Sequence, residues 1–110
     1  MTSPIYNEHV PICTASGIYD DVELYNDQLI IRPRALFSQI MAYAEIVDLS
    51  DVESITNDVK RSDHSSWIQM KISCHKHKPV EVAYRTSERP QMRLLNVRLN
   101  ELVHSQQTHA

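Results

Sequence analysis

The chain contains a single glycine, Gly17, in 110 residues. That scarcity constrains its fold and chemistry more than any other feature. A phosphate-cradling P-loop, a dinucleotide-binding turn and a nucleophile elbow each need at least two glycines in fixed register. All three are excluded, and large classes of nucleotide-dependent enzyme go with them. Turns must instead be built from Asn, Asp, Ser and Pro. The length suits one domain. A hydrophobic fraction of 42% with 23% charged residues fits a globular chain rather than a disordered one.

The formal net charge of -3 argues against a nucleic-acid partner bound by phosphate neutralisation. No apolar run approaches the roughly 20 residues of a membrane span. Met1 to Val10 has neither the basic start nor the apolar centre of a secretory signal. Cys13 and Cys74 are too few for a disulfide framework, which leads to the expectation of a cytoplasmic, thiol-reduced protein.

Periodicity divides the chain. Met1 to Ser16, with Pro4 and Pro11, reads as an irregular lead-in, with a short edge strand around Ile5 or Ile12 as its only regular content. From Gly17, alternation places Ile18, Asp20, Val22 and Leu24 on one face of a strand. Asn26-Asp27 is a two-residue turn, read from the tolerance of Asn and Asp for positive φ. Gln28 to Arg34 is the return strand, and Pro33 marks its end as an edge or bulge. Ala35 to Glu45 fits a helical stripe or two short strands, and the flanking strands favour strand. Ile46 to Leu49 is a short strand, and Ser50-Asp51 punctuates it. Val52 to Val59 alternates again, with Glu53, Ile55, Asn57 and Val59 on one side. Lys60 to Ser66 reads as a polar loop. In Trp67 to Cys74, residues Ile68, Met70, Ile72 and Cys74 share a face. Val80, Val82 and Tyr84 form the next strand after a charged turn.

The C-terminal part has a different period. Ser87 is the expected N-cap, with Glu88 and Pro90 in the first turn. Met92, Leu95, Leu99, Leu102 and Val103 recur at helical spacing, with Arg93, Arg98, Asn100 and Glu101 opposite. Fraying is expected after His104. The domain is therefore expected over residues 17–105, with a frayed tail at 106–110.

This order resembles the pleckstrin-homology-like superfold, in particular its small bacterial members. Glu23-Leu-Tyr-Asn-Asp-Gln-Leu-Ile-Ile-Arg-Pro-Arg34 resembles that family's first hairpin. Ile46-Val-Asp-Leu-Ser-Asp-Val-Glu-Ser-Ile55 resembles its recurring strand, turn and strand, and Met92 to Val103 its terminal helix. The resemblance implies a mainly β fold. Two near-orthogonal antiparallel sheets would form a partly open barrel capped by the C-terminal amphipathic helix. It also implies a non-enzymatic interaction or scaffold role, with self-association through sheet edges into a homo-oligomer. The turn Tyr25-Asn26-Asp27-Gln28 lacks the basic residues that phosphoinositide-binding members carry there.

Several residues invite sharper readings. Arg32, Arg34, Lys60 and Arg61 can form a basic face for a protein partner or, alternatively, for anionic lipid at a membrane periphery. Leu36 and Phe37 begin the densest apolar segment outside the evident strands and are candidate contact residues. The strand near Pro33 offers an edge for β-augmentation. Cys74-His75-Lys76-His77 evokes zinc, but Cys74 belongs to the apolar face and two lysines repel a cation, so no metal or cofactor is expected. No spacing brings a particular His and Asp together for acid–base work, so no catalytic residue is assigned.

Overall fold

The computed structural model describes residues 10–34 and 44–108. It is mainly β, with two antiparallel sheets and a C-terminal helix. The first sheet has the order β1-β2-β3-β4: Cys13–Ser16, Asp20–Leu24, Gln28–Pro33 and Glu45–Asp48. The second is β5-β6-β7: Val52–Arg61, Ser66–Cys74 and Val80–Tyr84. Helix α1 spans Arg89–Thr108. Among the described residues the sheets do not close into a barrel, and the arrangement is consistent with a pleckstrin-homology-like one. The calls on residues 1–9, Leu36, Phe37 and the rest of 35–43 lie outside the described residues.

Alternation decides which faces meet. Val22, Leu24, Leu29, Ile31 and Val47 from the first sheet are buried against Ile68, Met70, Ile72, Val80 and Val82 from the second. Met92, Leu95, Leu99 and Val103 close the core from α1, as the helical spacing predicts. An amphipathic helix needs such a surface to be stable.

Several expectations are sharpened or corrected. The short edge strand expected around Ile12 is β1, Cys13–Ser16, and it completes seven strands among the described residues. At Pro33 the expected edge is present, at the strand end alone. β3 is held between β2 and β4, and only beyond Ile31, where the β4 pairing ends, is its flank free among the described residues. The Asn26-Asp27 turn closes with the Tyr25 amide donating to the Gln28 carbonyl at 2.8 Å. No described non-glycine residue has positive φ, so the tolerance argued for Asn and Asp is not used. Lys60 and Arg61 belong to β5, and the loop shrinks to 62–65. Ser87 is not the helix cap. A short 3-10 turn at Thr86–Glu88 precedes α1, and the Glu88 carboxylate accepts from the Arg85 amide at 2.7 Å. The helix continues beyond His104 to Thr108.

Gly17 sits where the two sheets touch. Its amide donates to the Asp20 carbonyl, and the next amide, Ile18, donates to the Ala83 carbonyl on β7 at 2.8 Å. A Cβ at Gly17 would lie 2.6 Å from that same Ala83 oxygen. The only glycine therefore permits a close approach of backbones rather than an unusual φ.

Candidate interaction edge

Among the described residues β5 is the longest strand, with ten residues, and its only neighbour is β6. From Glu53 to Arg61 its opposite edge is unpaired among the described residues. From Glu53 to Arg61 every residue is exposed except Ile55, which is half-buried. A register shift between Val52 and Ser54 makes Glu53 the extra residue of a bulge. The bulge lets Val52 and Ile55 both face the core, although strict alternation would separate them. Beyond it the ladder runs regularly from Ser54–Ser73 to Arg61–Ser66.

The other edges offer less. β7 receives the Ile18 amide at Ala83. β1 has four residues and packs on α1, and β4 also has four.

A relay of side chains fixes the centre of β5 against the helix. The Tyr84 hydroxyl donates to Asn57 Oδ1 at 3.0 Å. Asn57 Nδ2 donates to Asn96 Oδ1 at 3.3 Å, and Asn96 Nδ2 donates to the Met92 carbonyl at 2.9 Å. Burial pushes the Tyr84 hydroxyl pKa up, and the nearby Arg89 and Arg93 charges pull it the other way. A groove of about 280 Å³ opens here, lined by Asn57, Tyr84, Arg89, Arg93, Asn96 and Val97. Val97 is 52% exposed on the helix and Val59 is 56% exposed on the strand. Val59, Ile68 and Tyr84 form one cross-strand row. The edge thus carries apolar and amide groups on its core-facing side and charged or hydroxyl groups on the other.

The four basic residues singled out from the sequence lie on two different sheets. Arg32 lies within β3 and Arg34 follows it in the first sheet, whereas Lys60 and Arg61 end β5 in the second. Arg32 is ion-paired with Glu23 at 3.2 Å, and Arg34 donates to the Gly17 carbonyl at 3.2 Å.

Asp51 is a residue that sequence reading did not connect to anything. It is buried, accepts from the Lys76 amide at 2.9 Å, and lies 2.8 Å from His77 Nδ1. The His77 hydrogen bond holds its carboxyl below the usual range. His75 faces Glu53 instead, at 3.7 Å. The two histidines of the zinc-like run therefore turn to different carboxylates, and no metal-holding cluster forms among the described residues. The Cys74 thiol is pushed up by burial and by Asp51 and Glu45, the reverse of what a nucleophilic thiolate needs.

A larger cleft of about 700 Å³ lies on the face of β6 and β7 opposite the core, beside Tyr19 and Trp67. The Trp67 indole donates to Gln69 Oε1 at 2.9 Å. Among the described residues no helix is long and apolar enough to cross a membrane. Comparison with protein-family models, with curated proteins and with solved structures gives no match.

Proposed function

We propose that this protein is a non-enzymatic interaction module of the pleckstrin-homology-like type that assembles with other copies of itself through an open sheet edge. The observation that carries this reading is β5, ten residues long, with its flank from Glu53 to Arg61 unpaired among the described residues. Unpaired strand flanks present a row of amide and carbonyl groups to any second strand. Proteins that must stay monomeric blunt such edges with short strands, prolines or like charge. β5 is long, has no proline, and mixes Glu53, Asp58, Lys60 and Arg61, so its charges complement a second copy of the same strand. The four-plus-three strand order with its terminal helix supports the kinship. The free, partly buried Cys13 and Cys74 thiols support a cytoplasmic setting.

Sedimentation velocity across a concentration series tests this. The wild-type mass should rise from monomer towards a multiple of it. Val59→Lys, at an exposed position, should keep the fold and its circular dichroism spectrum but hold the monomer mass. A wild-type monomer at the highest soluble concentration would end the reading.

A further inference from the structure

We propose that β5 pairs antiparallel with β5 of a second copy about a two-fold axis through Asn57, joining two three-stranded sheets into one. The inference rests on the self-association reading above and adds the register.

Antiparallel self-pairing obeys a simple constraint: the residue on the axis faces its own copy, and positions equally far on either side face each other. With Asn57 on the axis, Ile55 faces Val59 of the second copy and Thr56 faces Asp58. Ser54 faces Lys60, and Arg61 meets the bulge at Glu53. Each pair occurs twice. An aliphatic pair and an amide pair then fall on the core-facing side. On the other side each charge meets a hydroxyl. Favourable facing pairs of this kind are what stabilise a sheet. Val59, 56% exposed in one copy, gains an aliphatic partner. The axis residue is already held in place, because Asn57 bonds to both Tyr84 and Asn96.

Neighbouring registers are worse. An axis at Asp58 sets two carboxylates directly opposite, which is destabilising. An axis at Thr56 faces Ile55 with Asn57 and Glu53 with Val59. An axis at Val59 does face Asp58 with Lys60, but it pairs Ile55 with Asp63, beyond the strand end at Arg61. The Asn57 register engages the strand from the bulge to its last residue. Its one unfavourable term is diagonal: Asp58 lies about 7–8 Å from Asp58 of the second copy. A two-fold interface is also closed, so it produces a dimer and not a fibre.

Two single-cysteine proteins test the register at exposed positions outside the Tyr84–Asn57–Asn96 relay. Under this pairing Ser54→Cys and Lys60→Cys bring their Cα atoms about 4.5–5.5 Å apart across the interface, within disulfide range. Two copies of Ser54→Cys hold their thiols roughly 20 Å apart. Mild oxidation of a mixture should therefore give a Ser54→Cys/Lys60→Cys linked dimer, and neither protein alone should link. Native Cys13 and Cys74 compete poorly, since burial pushes both thiols up. As an independent readout, Asp58→Asn removes the diagonal repulsion and should tighten dimerisation by roughly two- to fivefold, the range one cross-strand pair commands. A dimer mass without the mixed link, or weaker dimerisation by Asp58→Asn, would overturn the Asn57 register and leave self-association standing. A monomer mass in every sample would remove both.

Discussion

His77 Nδ1 lies 2.8 Å from Oδ2 of Asp51, the buried charged side chain of the described core. The same carboxylate takes the Lys76 amide, and the Asp51 carbonyl takes the His75 amide at 2.9 Å. One residue therefore ties the β6–β7 turn to the start of β5. Its folded pKa is depressed, with the His77 hydrogen bond as the main cause. The unfolded chain then binds more protons in the acid range. The stabilisation is complete above the unfolded carboxylate value near ~3.9 and is lost as pH falls through the folded value. Asp51→Asn should unfold at lower denaturant than wild type at neutral pH. That difference should shrink as both proteins are titrated into acid. A difference independent of pH would separate the stabilising role of Asp51 from its ionisation.

Gly17→Ala is the second prediction. The added methyl would sit 2.6 Å from the Ala83 carbonyl oxygen and 3.1 Å from Val82 Cγ1. Neither β7 backbone nor a core valine can retreat cheaply, so the β1–β2 turn must move away. That weakens the Ile18–Ala83 hydrogen bond linking the sheets. Urea unfolding should show a loss of about 1–3 kcal/mol, the usual cost of overpacking. The gain expected from replacing glycine in an unstrained position should not appear.

The strands most legible in the sequence are those with one dry face. Ile68, Met70 and Ile72 alternate because each second residue of β6 is buried, and the same holds for Val80, Val82 and Tyr84. β1 was placed only approximately, around Ile12, because Ala15 is its one buried side chain and a small one, which leaves a weak amphipathic signal. The β5 bulge hid the register, since it brings Val52 and Ile55 to one side. The Asp51–His77 contact joins positions far apart in sequence, and no local pattern encodes such a meeting. Which strand is left at an edge is likewise a tertiary outcome: Pro33 marked the end of β3, which β4 leaves unpaired beyond Ile31, but nothing local marked β5 as a long open flank among the described residues.

The helix stripe yields a paired test. Leu95 is fully buried and Leu94, its neighbour, is 59% exposed. Leu95→Ala should cost about 2–5 kcal/mol through lost burial and a residual cavity. Leu94→Ala should stay within about 0.5 kcal/mol. Thermal or urea unfolding of both proteins checks the assignment of faces. Equal losses would mean that α1 is rotated from the position described.

Tyr84→Phe addresses the relay that couples sheet and helix. The ring remains to fill the core, and only the hydroxyl that donates to Asn57 Oδ1 is removed. A loss of about 0.5–1.5 kcal/mol is expected for one hydrogen bond of this kind. The more informative quantity is the coupling. If Tyr84 acts on stability through Asn57, then Tyr84→Phe combined with Asn57→Ala should cost less than the two single changes together. Strict additivity in urea unfolding would mean that the two side chains act independently. In that case the Tyr84 hydroxyl would not be what holds Asn57, and with it the middle of β5, against the helix.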